Sequence, residues 1–252
     1  MEKYAAIAFL ALLVTYGNES VLAQSRLNSN TRQIDYEVKA TGLTPEFPSG
    51  SNCPKIASGW GSQERFDNST RLQNRNAGLH GGLDISLKEG TPLIAMASGN
   101  IIAKGEGGML EGIYLWLQHA PIDTGLPYRA VVKYQHLATM PDLNVGESVK
   151  LGQVIANSGK TGTVGRAFGP NGYPHLHVSL FIAPIVQPQN QTTPPADGKL
   201  SDPLLLFLSP SADYANAAEL PNKTISVSIV DSAGKTEPAE SKVVWPVRCS
   251  SL

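Results

Sequence analysis

The feature that most constrains this chain is the spacing of its apolar segments from Ile56 onward. Short apolar stretches alternate with Gly, Pro, Asn and Ser, and no stretch between residues 56 and 182 keeps a 3.6-residue period over three turns. The 252 residues include 24 glycines and 18 prolines, which suits a chain with many turns. The pattern predicts an all-β fold, an antiparallel sheet or β-sandwich.

The strand prediction rests on six segments: residues 92–95, 100–103, 113–117, 130–134, 149–156 and 175–182. The first two flank a turn of small residues and predict a β-hairpin. The third and fourth are expected to pair with each other across the loop that joins them. A single five-residue apolar run at residues 204–208 indicates a core strand or a helical turn.

An export signal is predicted at the start of the chain. Lys3 provides one positive charge, residues 5–14 are apolar but too few to span a bilayer, and small residues precede a cleavage point after Ala23. The alternative is an uncleaved anchor. Cleavage would leave no stable membrane span, because no later stretch is long and apolar enough. We therefore expect export, to the periplasm or to the cell wall and extracellular space.

Composition divides the rest of the chain into three parts. Residues 24–55 are polar and irregular, and residues 56–208 contain most of the strand pattern. Residues 209–252 are predicted to form a small β extension, because residues 223–230 alternate as a half-buried strand does, with residues 243–245 as a possible partner. Residues 183–200, rich in Pro, Gln, Thr and Asn, indicate a linker or long loop.

Charge and cysteine content limit the function classes. A formal net charge of -1 and a pI of about 6.5 do not support nucleic-acid binding. The two cysteines are Cys53 and Cys249. In an oxidising compartment they could form one disulfide between the beginning and the end of the mature chain, or they could remain two thiols.

His80 and Asp84 are four positions apart, and two adjacent glycines lie between them. Each glycine costs a helix about 1 kcal/mol, so a helix is disfavoured here. In an extended chain an even separation places both side chains on one side, where they can converge. The alternative is a Gly-Gly turn with two polar flanks.

Residues 175–180 alternate strictly, with His175, His177 and Ser179 on one side and apolar residues on the other. Two imidazoles on one strand face point into the same cleft, although a polar strand face is the simpler alternative. A catalytic zinc site uses three protein ligands and keeps a fourth position open, which two histidines and one aspartate would satisfy. A further histidine nearby would be available to transfer protons.

Four segments together resemble the M23 peptidases, also called LytM or lysostaphin-like endopeptidases. They are residues 56–61, similar to the family's first strand; His80 to Asp84 with residues 90–92 and 97–102; Tyr134-Gln135-His136-Leu137; and residues 152–162 with His175-Leu176-His177. The similarity runs from about Ile56 to Pro203. The resemblance implies a barrel-sandwich-hybrid-like β domain that binds one Zn²⁺ per chain through His80, Asp84 and His177. It also implies that His136 and His175 are catalytic histidines that do not bind the metal.

The resemblance further implies a secreted endopeptidase whose partners are peptidoglycan peptides, cut within cross-links or stem peptides. Tyr134 either faces the cleft with His136 or packs within the sheet, and His119 receives no catalytic role. Loops at residues 121–128 and 163–174 are expected to be long and to shape the rim of the cleft. Residues 24–55 could cover that cleft.

Three alternatives remain open from the sequence. One is a catalytically silent LytM-type regulator of another cell-wall hydrolase. The second is a secreted peptidase that acts on glycine-rich proteins. The third is a biotinyl- or lipoyl-type carrier module built around Lys150, which leaves the histidine pattern unexplained.

Overall fold

The computed structural model describes residues 36–73, 75–108, 110–163, 173–186 and 192–252. The predicted export signal, residues 1–23, lies outside these ranges, as does most of the predicted loop at residues 163–174. Within the described ranges, no helix has the length and apolarity needed to cross a membrane.

Short strands make up most of the regular structure in the described ranges. In chain order they are β1 Thr44–Glu46, β2 Ser51–Asn52, β3 Ile56–Ser58, β4 Leu83–Ser86, β5 Pro92–Ile94, β6 Gly99–Glu106, β7 Ile113–His119, β8 Arg129–Gln135, β9 Ser148–Val149, β10 Val154–Asn157, β11 His175–Ala183, β12 Lys199–Ser201, β13 Thr224–Ser226, β14 Ile229–Val230, β15 Thr236–Glu237 and β16 Ser250–Ser251. Helical structure is confined to one α-helical turn, α1 Pro121–Thr124, and to 3₁₀ segments at Asn76–Gly78, Pro203–Phe207 and Ala217–Glu219. The all-β prediction is confirmed, and the apolar run at residues 204–208 forms a helical turn.

The main sheet has the order β3-β4-β11-β8-β7-β6-β9, with β12 paired to β11, and every pairing in it is antiparallel. The predicted pairing of residues 113–117 with 130–134 is confirmed, because β7 and β8 are neighbours in register from Tyr114 opposite Gln135 to His119 opposite Ala130. The predicted strand at residues 149–156 is divided into β9 and β10 by a turn that includes Gly152, at φ +74°.

The predicted hairpin between residues 92–95 and 100–103 is wrong. β5 pairs with β10 in a separate two-stranded sheet, whereas β6 pairs with β7 and β9. The residues between them do not turn back, because their backbone bonds elsewhere: the Ala95 N–H donates to the Gln153 carbonyl and the Met96 carbonyl accepts from the Val244 N–H. The chain therefore crosses between two sheets here, and small residues in sequence do not distinguish such a crossing from a turn.

The main sheet has two unlike faces, because successive side chains of a strand point to opposite sides. The core face packs against the second layer with fully or almost fully buried apolar side chains: Ile85, Leu115, Val132, Tyr134, Leu176, Val178 and Leu180. The cleft face carries polar groups at the positions between them: Asp84, Tyr114, Lys133, Gln135, His177 and Ser179. Farther along the cleft face a second apolar cluster contains Trp116, Val131 and Phe181.

The C-terminal residues join the same core as the sheet. Trp245 and Cys249 are buried with core-face side chains, and the predicted strand at residues 223–230 is split into β13 and β14. Residues 243–245 form no strand and bond to this region through the Trp245 N–H and the Ser228 carbonyl. The boundaries at residues 55 and 208 stay predictions.

A disulfide joins Cys53 to Cys249 across 196 residues of sequence. Beside it, β2 pairs with β16, so hydrogen bonds also join these two segments. In the chain-entropy account, closing a loop of this length stabilises the fold by about 5 kcal/mol.

Candidate metal centre

Three side chains converge on the cleft face where β4 meets β11. Asp84 and His177 are directly opposite each other in register, and His80 reaches them from the segment before β4. The Asp84 Oδ1 atom lies 2.8 Å from His177 Nδ1 and 3.1 Å from His80 Nε2. The two imidazole nitrogens are themselves 3.1 Å apart. Among the described residues, these three form the one cluster with suitable spacing for a metal ion.

Close packing requires a glycine at position 82, between His80 and Asp84. A Cβ at Gly82 would lie 2.4 Å from the Val178 carbonyl oxygen and 2.6 Å from His177 Nε2. Both distances are shorter than van der Waals contact, so a side chain at Gly82 would push β4 away from β11. The glycine therefore lets the segment that carries His80 approach the strand that carries His177.

Hydrogen bonds on the far side of each imidazole orient the rings. His80 Nδ1 lies 3.0 Å from the Gly59 carbonyl, which can only accept, so Nδ1 carries the proton and Nε2 keeps its lone pair. His177 Nε2 is bonded to the Ser179 hydroxyl at 2.9 Å, which leaves Nδ1 toward the cluster. Two imidazole nitrogens and one carboxylate oxygen thus converge on one point, as the ligand atoms of a divalent metal ion do.

Asp84 is held ionised and in place. Burial raises the pKa of its carboxyl, but His80 and His177 more than offset that effect, and the pKa lies well below its usual range. Its second oxygen, Oδ2, accepts from Arg71 Nη2 at 3.3 Å, and the same Arg71 nitrogen donates to Ser58 Oγ at 2.9 Å. Asp84 therefore offers Oδ1 to the cluster while Arg71 occupies its other oxygen.

His175 and His136 lie beside these donors. His175 Nε2 is 3.6 Å from Asp84 Oδ1, and the rings of His136 and His175 have centroids 4.6 Å apart. Each Nδ1–H donates to a backbone carbonyl, that of Thr161 at 2.8 Å for His136 and that of Tyr173 at 2.9 Å for His175. Each neutral ring therefore keeps a lone pair on Nε2.

Burial favours the neutral form of three histidines of the site, His136, His175 and His177. It lowers the pKa of His136 to about 3 and that of His177 to about 4, and it also lowers the pKa of His175. Neighbouring imidazoles add to the effect on His136, and Asp84 opposes it at all three. Neutral rings are the form that can ligate a metal or accept a proton.

His136 reaches the cleft through an unusual backbone conformation. Strict alternation would place it on the core face with Tyr134, but its φ is 63°, in the left-handed region. The chain therefore bends as β8 ends and turns the ring toward His175. A non-glycine residue in this region is strained by about 1–2 kcal/mol, a cost often found at functional sites.

The open question about Tyr134 is answered by its position in the core. Tyr134 is fully buried, and its hydroxyl bonds to the Met96 N–H at 3.0 Å and the Ile94 carbonyl at 3.2 Å. It packs within the sheet and does not face the cleft. His119 is buried on the same side, with Nδ1 bonded to the Ser98 carbonyl at 2.8 Å.

Several contacts of the site could not be read from residue spacing. Arg71 comes from a loop without periodic signal. Tyr173 stacks on His175 with ring centroids 4.9 Å apart, and Phe66 stacks on Tyr173 at 3.7 Å. An ion pair between Lys133 and Glu111 lies beside Ser179 on the cleft face. Only Ser179 carried a signal, its place on the same strand side as the two histidines.

Part of the N-terminal segment packs on the cleft face. Val38 is buried against Trp116 and Phe181, and the Tyr36 ring meets the Phe181 ring edge to face at 5.3 Å. These contacts lie toward the far end of β11 from His175. The rest of the suggested cover, residues 24–35, lies outside the described ranges.

Comparison with known proteins identifies the part of the chain that contains this site. Residues 78–191 match peptidase family M23. The chain is 38% identical over 105 residues to a metalloprotease of Haemophilus influenzae, which covers 41% of this chain and 18% of the relative. It is 34% identical over 107 residues to lysostaphin of Staphylococcus simulans, which covers 42% of this chain and 19% of the relative. The match thus spans about a fifth of the length of these relatives.

Solved structures with similarity to the chain include two peptidases. The catalytic domain of the antimicrobial peptidase lysostaphin from Staphylococcus simulans is 26% identical, covers 61% of this chain and 92% of that domain, and has a TM-score of 0.42. A zinc containing peptidase from Vibrio cholerae is 24% identical, covers 54% of this chain and 35% of that protein, and has a TM-score of 0.38.

Proposed function

The chain belongs to peptidase family M23 through residues 78–191, and from this premise we propose that it is a zinc endopeptidase that hydrolyses peptide bonds in peptidoglycan cross-links or stem peptides. The observation that carries the proposal is the convergence of His80, Asp84 and His177 beside two further neutral histidines. Export to the periplasm or beyond is part of the proposal, supported by the predicted signal and by the disulfide, which suits an oxidising compartment.

The donor set fits zinc, with one ion held by His80 Nε2, Asp84 Oδ1 and His177 Nδ1. When bound, zinc supplies Lewis-acid catalysis: it polarises the scissile carbonyl and makes a water molecule more acidic. Gly59 and Ser179 keep the two imidazoles in the ligating orientation, and Arg71, bonded to Oδ2 of Asp84, leaves Oδ1 directed toward the cluster.

His136 and His175 handle the protons. Their Nε2 atoms are the free acceptors of the site, because each Nδ1–H is bonded to a carbonyl. Nε2 takes the proton of the attacking water, and the resulting imidazolium donates it to the leaving amine. A protonated Nε2 also hydrogen-bonds the oxyanion that forms at the scissile carbonyl. Asp84, 3.6 Å from His175 Nε2, stabilises the charge that this ring gains.

Metal analysis together with peptidoglycan digestion tests the proposal. The purified chain should hold about one zinc, and mass spectrometry should detect peptides released from peptidoglycan. His80→Ala should lose zinc and turnover together, whereas His136→Ala should keep zinc and lose turnover. Zinc binding without release would favour the silent regulator. Cleavage of glycine-rich proteins with intact peptidoglycan would favour the other peptidase.

A further inference from the structure

An ion pair that the proposed chemistry does not use lies on the cleft face beside the metal donors. Lys133 on β8 is directly opposite Ser179 on β11, and Ser179 holds the ring of His177. The Lys133 ammonium pairs with the carboxylate of Glu111, which lies in the loop between β6 and β7. Lys133 is only 8% exposed, while the Glu111 side chain is 38% exposed. The Lys133 ammonium is thus largely buried, and solvent reaches the pair on the Glu111 side.

Stability alone does not require an ion pair at Lys133. Its ammonium lies over the rings of Tyr114 and Trp116, at 4.8 and 5.1 Å from their centroids. Burial lowers the pKa of Lys133, and Glu111 opposes that shift. Replacing a buried ion pair by apolar residues of similar volume is often neutral or stabilising. The neighbouring positions of this face, Val131 and Phe181, are in fact apolar.

The local charge favours a negatively charged partner. Arg75 lies close enough that its charge also lowers the pKa of Lys133. Arg75 thus adds a second positive charge near Lys133, and this charge favours a carboxylate as the partner. Lysine presents three donors on a flexible stem, so its ammonium can bond Glu111 and a second carboxylate at once.

We propose that Lys133 and Glu111 form a carboxylate-binding subsite, which selects peptides with a free carboxylate close to the scissile bond. This inference rests on the proposed peptidase function. Lys133 and His177 are diagonal neighbours on adjacent strands, a separation of about 7–8 Å. An extended peptide covers that distance in about two residues. The carboxylate therefore belongs to a side chain or terminus within about two residues of the bond that is cut.

The test compares one pool of peptides in two forms. Cross-linked stem peptides freed from peptidoglycan are assayed as they are, and again after their carboxyl groups have been converted to carboxamides. A charge-assisted hydrogen bond predicts that the zinc-loaded wild type has a KM roughly tenfold to a hundredfold lower for the free acids. Binding to zinc-loaded His136→Ala, followed by tryptophan fluorescence, should show the same preference without turnover.

Substitutions at the two members of the pair should change the preference in opposite directions. Lys133→Met keeps the apolar stem of the side chain and should abolish the preference for free acids. Lys133→Arg should retain most of that preference. Glu111→Gln removes the competing carboxylate and should increase the preference for free acids. Lys104→Met is the matched control, because Lys104 is opposite Leu115 on the other face and donates to the Pro141 carbonyl.

The outcomes separate this subsite from a structural ion pair. If the pair only stabilises the fold, Lys133→Met and Glu111→Gln lose activity or stability in the same direction, and both keep the wild-type preference. That result, or equal KM values of the wild type for acids and carboxamides, overturns the subsite but not the peptidase. A wild type that cleaves neither pool, while zinc-loaded His136→Ala still binds acids preferentially, overturns the peptidase function alone.

Discussion

The two faces of the main sheet are built by the same strands and differ in what their buried groups do. On the core face, Leu176, Val178 and Leu180 are buried among apolar side chains, and polar atoms such as the Tyr134 hydroxyl bond to backbone. On the cleft face, His177 and Ser179 alternate with those residues and bond to other functional side chains. One residue of displacement along β11 thus separates a residue that packs in the core from one that contributes to the proposed metal site. Paired substitutions on one strand can test that division.

The largest effect is expected at the metal donors. Asp84→Asn should lose zinc and reduce turnover by at least about a thousandfold, because it removes the charge that gathers the donors. The free energy of unfolding of the metal-free protein should change far less than in a core-face variant, since the cleft face adds little apolar burial here. Metal content, turnover and urea denaturation of metal-free samples measure the three quantities. A metal-free variant that unfolds as easily as a core mutant would contradict the division between the faces.

The next effect, on the core face, should have the opposite character. Leu180→Ala truncates a fully buried side chain and should lower the free energy of unfolding by about 2–5 kcal/mol. The folded fraction should still bind zinc and turn over at nearly the wild-type rate. Denaturant titration and metal content per folded molecule provide the check. Loss of zinc from folded Leu180→Ala would show that the faces are coupled.

The same division explains how much was predictable from the sequence. Residues 175–182 were predictable because a period of two and a continuous apolar side identify a strand and its buried face. The four site histidines and Asp84 came from motif resemblance, and the structure places them together. The conformation of His136 was not predictable, because alternation assigns it to the core face. Lys133 was not singled out, since a lysine in a strand ordinarily indicates the solvent side.

Longer-range contacts were hidden for another reason. Arg71 and Tyr173 reach the site from loops, which carry no period. The mistaken hairpin at residues 92–103 has a similar origin. β5 pairs with β10 and β6 pairs with β9, and each of these partners lies more than 40 residues farther along the chain. Sequence patterns describe which side of a strand is buried but not which strand lies next to it.

Asp202 is a buried carboxyl outside the cleft and gives a pH-dependent test of the core side. Its oxygens accept from the Thr41 hydroxyl and the Leu204 N–H, and burial raises its pKa to about 6. The folded state thus binds the proton more tightly than the unfolded state. The associated stability is complete below pH 4 and is lost as pH rises through 6, by about 3 kcal/mol.

Asp202→Asn should remove that dependence while keeping the bond to the Leu204 N–H. The difference in unfolding free energy between variant and wild type should therefore shift by about 3 kcal/mol in favour of the variant between pH 4 and pH 8. Taking the difference cancels the contribution of Asp84, whose lowered pKa acts in the opposite direction. A difference that stays constant with pH would mean that folding does not raise the pKa of Asp202.

The smallest effect is expected at Ser179, the neighbour of Leu180 on β11. Ser179→Ala removes the hydroxyl that bonds His177 Nε2 at 2.9 Å and leaves the apolar core face intact. Loss of such a partner typically weakens metal binding by about 10–100-fold, since the ring is free to rotate away from the ligating orientation. The unfolding free energy should hardly change, in contrast to Leu180→Ala. Competition with a zinc chelator measures the affinity. An unchanged zinc affinity would indicate that packing between β4 and β11, where Gly82 meets His177, holds the ring without Ser179.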